Sequence, residues 1–234
     1  SNVQISPDGD RLLMLRNVNG EIVLVTKNLD DPVENIIPYD GGIYNWAQWA
    51  TNDRIIASIR YVGHEDRARS LALKVQKRLL SMTWDGKDII NPNKFRIRDR
   101  RTKVFTARQP QVQDRVIDIL KDEPDHVLIQ LDIDKAGEPA VYKLNIKSKK
   151  RTRVIRGRKV IDYWVTDQNG IVRYGEGYSD VRGKNKVRHV AFYRKSDGGE
   201  WITLFNYDET KASRPYYFEA YTEDPNEIYI MAYG

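Results

Sequence analysis

Acyl transfer at a serine needs the hydroxyl on a sharp strand-to-helix turn with a histidine in reach as base. The nearest sequence is Gly177-Tyr-Ser-Asp-Val181, which lacks the closing glycine and is followed by no helical pattern, so Ser179 reads as structural. Gly175-Glu-Gly177 opens a phosphate-loop pattern, but no Gly-x-x-x-x-Gly-Lys completes one. The three histidines, His64, His126 and His189, stand far apart. Only His64-Glu65-Asp66 offers close metal-ligand spacing, and adjacent residues on a strand point to opposite faces. That triplet reads as a solvated loop after Gly63, and His126, after a Glu-Pro-Asp turn, as a polar tip at a sheet edge. These residues assign no catalytic, cofactor or metal role, and substrate-binding positions stay unassigned.

Two basic stretches bear on anionic partners. In 147–159, eight of thirteen residues are Lys or Arg, and Lys94 to Lys103 interleaves charge with Phe95. Backbone-tracking nucleic-acid surfaces have this composition. Both stretches coincide with expected hairpin turns and outer strands, where Lys and Arg protect edges from aggregation, and that reading is favoured over a nucleic-acid partner. Fourteen Tyr and five Trp offer a stacking platform for sugars or bases. Most fall at period two inside strand runs, as Tyr44, Trp46 and Trp84 do, which favours core packing. Trp46 and Trp49 are expected on opposite faces, leaving one of them to line a central tunnel.

The elements that position these residues are announced by a recurring phrase. A β-branched or aromatic run enters a polar turn with Asp and Gly or Asn, and an apolar strand follows. The copies are Val3 to Leu15, Tyr44 to Ala57, Ile117 to Ile129, Tyr163 to Val172 and Phe218 to Ile230. Aligned at Leu12, Ile55, Val127, Ile171 and Ile228, they are 43, 72, 44 and 57 residues apart. A repeat of about 45 residues with room for insertions marks β-propeller blades of four strands each. The first interval holds four runs divided by Pro7-Asp8-Gly9, Asn19-Gly20 and Asp30-Asp31-Pro32. Asn-Gly is a strong hairpin signal.

The expected fold is all-β: a β-propeller of four-stranded antiparallel blades, about four complete and the start of a fifth. The blades fall near 1–40, 41–108, 112–157, 158–208 and 213–234. The second carries two insertions, and its fourth strand is expected at Thr102 to Thr106. Ala68, Leu71, Ala72, Val75 and Leu79 fall at helical spacing, so Asp66 to Leu80 reads as a short amphipathic helix or as a loop running into a longer strand. The sequence stops mid-blade, which predicts a piece of a longer polypeptide and self-association through open strand edges.

The formal charge of +6 permits an acidic partner without requiring one. The absence of cysteine excludes a disulfide scaffold and a thiol nucleophile. No run of about eighteen apolar residues occurs, so no membrane-spanning helix is expected and the chain reads as soluble, cytoplasmic or periplasmic.

Ile5-Ser-Pro-Asp-Gly-Asp-Arg-Leu-Leu, Trp49-Ala-Thr-Asn-Asp-Arg-Ile-Ile, Arg78-Leu-Leu-Ser-Met-Thr-Trp-Asp-Gly86 and Trp164-Val-Thr-Asp-Gln-Asn-Gly170, in that order, resemble the N-terminal β-propeller of bacterial serine peptidases of the prolyl oligopeptidase family. The resemblance implies a non-catalytic propeller that gates short peptides toward its own C-terminal α/β-hydrolase domain. That domain, with its Ser, Asp and His, would lie beyond Gly234. The paired glutamates with which dipeptidyl peptidases hold a peptide N-terminus are not matched, since Glu34 and Glu65 are isolated. A free-standing propeller that scaffolds proteins or binds an anionic polymer through 147–159 is the alternative.

Overall fold

A computed structural model describes residues 3–64, 73–93, 110–181, 186–208 and 216–232. Among them there is no helix, and the strands form successive small sheets. The first sheet runs in order through β1 (Gln4–Ile5), β2 (Arg11–Val18), β3 (Glu21–Asn28) and β4 (Glu34–Ile37). The second joins β5 (Ile43–Trp49), β6 (Arg54–His64), β7 (Leu73–Thr83) and β8 (Val112–Gln113). The third has β9 (Val116–Ile119), β10 (His126–Leu131), β11 (Ala140–Asn145) and β12 (Arg151–Ile155), again in chain order across the sheet. The fourth has β13 (Tyr163–Thr166), β14 (Val172–Val181), β15 (Lys186–Tyr193) and β16 (Ile202–Asp208). A hairpin of β17 (Tyr216–Tyr221) and β18 (Ile228–Ala232) follows. This meander order is that of propeller blades, and the chain is an all-β partial propeller.

Each copy of the recurring phrase connects the first two strands of a sheet, for a local reason. A short side-chain oxygen accepts backbone N–H groups two to five residues on, which bends the chain without help from afar. Ser6 Oγ accepts from Arg11 N at 2.9 Å, Thr51 Oγ1 from Asp53 N at 3.3 Å, and Asp224 Oδ1 from Asn226 N at 2.8 Å. Asp167 Oδ1 accepts from both Asn169 N and Ile171 N at 3.0 Å. Between β2 and β3, Asn19 and Gly20 have φ of 54° and 92°, the positive values that a type I′ turn requires.

Two expectations change and one pair of alternatives is decided. β7 pairs with β6 from Leu73 to Thr83, so at 73–80 the longer strand holds rather than the helix; 65–72 lies outside the described residues. Eleven cross-strand pairs outweigh a helical spacing of apolar residues. The fourth place in the second sheet belongs to Val112–Gln113, which runs parallel to β7, whereas Thr102 to Thr106 lies outside the described residues. A β-bulge between Tyr44 and Trp46 then shifts β5 by one residue, so buried Tyr44 shares a face with buried Ala47 and Trp49 rather than with Trp46.

The chain forms two compact units, Ser1–Arg115 with Lys121–Val127 and Leu144–Arg151, and Val116–Leu120 with Leu128–Lys143 and Thr152–Gly234. The first is built on Leu13, Leu24, Tyr44, Trp49, Ile55, Leu80 and Met82. The second centres on Trp164, with Leu128, Val141, Ile155, Ile161 and Val172.

Candidate functional site

Within the first unit, the β2–β3 hairpin, the connection from β4 to β5 and the side of β6 enclose a cleft of ≈ 650 Å³. Asn17, Glu21 and Ile22 form one wall, Tyr39, Asp40 and Ile43 another, and Arg60 closes the side. The connection fits only because it is glycine: a Cβ on Gly42 would sit 2.7 Å from the Arg60 carbonyl oxygen. Tyr39 lies over Gly41, and its ring centroid is 6.2 Å from that of Tyr44. Burial raises the pKa of Tyr39 and, more strongly, of Tyr44, so both phenols stay protonated and neither is a base. Among the described residues, Glu21, Asp40 and Arg60 make no ion pair. The cleft therefore offers one guanidinium, two carboxylates and the apolar or aromatic side chains of Ile22, Val23, Pro38, Tyr39 and Ile43. Such a lining binds and orients a small amphipathic ligand, and it contains no nucleophile–base pair.

The sequence-highlighted residues fall as follows. Gly177 to Val181 lies on β14, hydrogen-bonded across to β15 with Ser179 opposite Arg188, so no elbow exists there. Gly175 serves close packing on β13, and Gly177 close packing on the segment just before it. A Cβ on Gly175 would lie 2.4 Å from the Trp164 ring, and one on Gly177 2.4 Å from Val160 O. His126 is half-buried at the start of β10, its Nε2 3.3 Å from Asn145 Nδ2. The side chain of His64, with Glu65 and Asp66, lies outside the described residues. Among those described, no three His, Asp or Glu side chains are grouped to hold a metal ion. Glu34 is engaged by Arg16 through two hydrogen bonds of 3.2 and 2.7 Å.

His189 is fully buried in the second unit, and sequence reasoning missed its surroundings. Its Nε2 is 3.0 Å from Glu176 Oε2 and its Nδ1 2.8 Å from the Tyr207 hydroxyl. Tyr178 stacks on the ring with centroids 4.9 Å apart. Tyr178 and Tyr207 are its direct cross-strand partners, and Glu176 its diagonal neighbour on β14. Only the strand register brings them together, and nothing local in the sequence signals it.

Three of the eight basic residues of 147–159 are engaged as follows. Lys147 pairs with Asp125 at 2.8 Å and Arg153 with Asp134 at 2.5 Å, while Arg158 lies over the rings of Phe192 and Trp201 at 5.0 and 5.5 Å. β12 is an outermost strand of its sheet, as edge protection requires. The second cluster, 94–103, lies outside the described residues. Of the candidate tunnel tryptophans, Trp49 is core, and half-buried Trp46 lines a smaller cleft of ≈ 270 Å³ with Gln4, Met14 and Asn45.

No protein-family model matches the chain, and no curated protein sequence does. Solved structures are similar to it. An oligogalacturonate lyase in complex with manganese aligns with a TM-score of 0.50 at 8% identity, over 88% of this chain and 53% of that one. TolB from Acinetobacter baumannii aligns at 0.42 and 12% identity, over 88% and 42%, and a TolB-type protein from Agrobacterium tumefaciens at 0.43 and 14%, over 98% and 73%. The chain thus spans about half the length of the first of these structures, and the likeness to the lyase is one of β-propeller fold.

Proposed function

We propose that this chain is the substrate-selecting propeller part of a serine peptidase of the prolyl oligopeptidase type, and that a short peptide rests in the cleft beside Arg60. The ordered sequence phrases and the propeller fold support the class. The observation that carries the binding role is the cleft itself, which sets uncommitted Arg60, Glu21 and Asp40 beside apolar side chains in a volume suited to a few residues of peptide. A guanidinium suits peptide carbonyl or carboxylate groups, and the carboxylates suit an ammonium or basic side chain.

The test is titration of the chain with tri- and tetrapeptides, followed by backbone amide shifts. Movement of Tyr39, Ile43 and Arg60, lost in Arg60→Ala, is expected; shifts elsewhere with none at the cleft would overturn the binding role. The peptidase assignment is tested separately by the reading frame beyond Gly234, where a Gly-x-Ser-x-Gly elbow is expected. The free-standing anionic-polymer reading draws on exposed Lys149 and Lys150 but loses the charges held by Asp125, Asp134 and the aromatic rings.

A further inference from the structure

Successive residues of a strand turn their backbone N–H and C=O groups to opposite sides. The two-residue turn at Asn19 and Gly20 makes Val18 and Glu21 a hydrogen-bonded pair, so in β3 it is Glu21, Val23, Val25 and Lys27 that bond to β2. The bond from Leu29 N to Asp10 O at 2.9 Å, just past the strand, keeps the same alternation. Ile22, Leu24 and Thr26 therefore turn toward β4. Leu24 meets Ile37 and Thr26 meets Asn35, but β4 ends there and the chain leaves the sheet through Pro38, so Ile22 has no strand partner on that side. Among the described residues no hydrogen bond reaches its N–H or C=O. Ile22 is exposed, and it lines the cleft beside Arg60.

An empty rung of a ladder calls for a donor and an acceptor at strand spacing, which an extended peptide carries on every residue except proline. We propose, resting on the peptide reading of this cleft, that the peptide binds as an added strand on β3 and that one central residue exchanges both backbone hydrogen bonds with Ile22. Antiparallel pairing lets a single residue make both bonds, so the peptide takes the direction of β4, with its C-terminal end toward the Asn19-Gly20 turn.

Register then sets the class of peptide. The central side chain rises beside that of Ile22, which favours a β-branched or aromatic residue there. Proline is excluded at that position, because its nitrogen carries no proton for the Ile22 carbonyl. The next residue lies directly opposite Glu21, which makes no ion pair among the described residues, and the carboxylate favours Lys or Arg. The preceding residue falls opposite buried Val23.

The experiment titrates the 234-residue chain with Ala-Val-Lys-Ala and with two esters of it, one lacking the valine N–H and the other the lysine N–H. The Ile22 amide proton is expected to move downfield on binding, while that of Val23, already bonded to β2, moves little. Losing the valine N–H should weaken binding about five-fold, the worth of one net hydrogen bond. The lysine N–H points away from β3, and its loss should cost less. An unmoved Ile22 amide, a valine ester that binds as well as the lysine ester, or binding of other tetrapeptides but not of this one would each overturn strand addition and leave the peptide reading standing, provided that Tyr39, Ile43 and Arg60 still respond. If no tetrapeptide moves those three residues, the peptide reading falls and strand addition falls with it.

Discussion

Gln130 and Trp164 meet as two strands would: Gln130 Oε1 accepts the Trp164 backbone N–H at 2.9 Å while Gln130 Nε2 donates to Asp162 O at 2.6 Å. A buried side-chain amide from β10 thereby satisfies the backbone of β13, which has no strand of its own on that side. Replacing it by Met keeps the volume and strands both backbone groups. Gln130→Met is expected to cost about 1–3 kcal/mol of stability, read from the denaturant midpoint; an unchanged midpoint would mean that water satisfies both groups.

Gly175 faces the ring of Trp164, which is itself fixed by a 2.8 Å hydrogen bond from Nε1 to Pro139 O. Because the ring cannot yield, Gly175→Ala should destabilise the chain by about 1–3 kcal/mol. In a Trp164→Leu background the extra methyl has room, and the penalty of the alanine should largely vanish. Equal penalties in the two backgrounds would show that the glycine serves backbone conformation instead.

Asp85 accepts from Thr83 Oγ1 at 2.6 Å and pairs with Lys87 Nζ at 2.8 Å. The Lys87 and Thr83 hydrogen bonds lower its pKa from 3.8 to about 2. A lowered carboxylate pKa contributes stability above 3.8 that is lost as pH falls through about 2. The contribution is small because Lys87 is largely exposed. A carboxyl ¹³C titration should place the Asp85 midpoint near the lower value, and Lys87→Ala should move it upward; a midpoint unmoved by that change would assign the shift to Thr83 and the residue-87 backbone N–H.

Ser179 sits on an extended strand opposite Arg188. Without an elbow or an adjacent imidazole its hydroxyl has no activation. Incubation with a serine-directed fluorophosphonate should label no serine of this chain, and stoichiometric modification of Ser179 would refute that.

What could be read in the sequence was whatever is local. Ser6-Pro-Asp-Gly9, Asn19-Gly20 and Asp167-Gln-Asn-Gly170 announced their turns because positive φ and a side-chain oxygen two residues away act within a few bonds. Their repetition announced an all-β chain of blades. The partnerships of His189 with Glu176, Gln130 with Asp162 and Trp164 with Gly175 were not legible, nor was the face change at Tyr44. The sequence left 73–80 open between helix and longer strand, and its pairing with β6 decided for the strand. These depend on register, and a shift of one residue exchanges the two faces of a strand. Register is decided by contacts between segments remote in the chain, so only the tertiary structure selects which side chains meet.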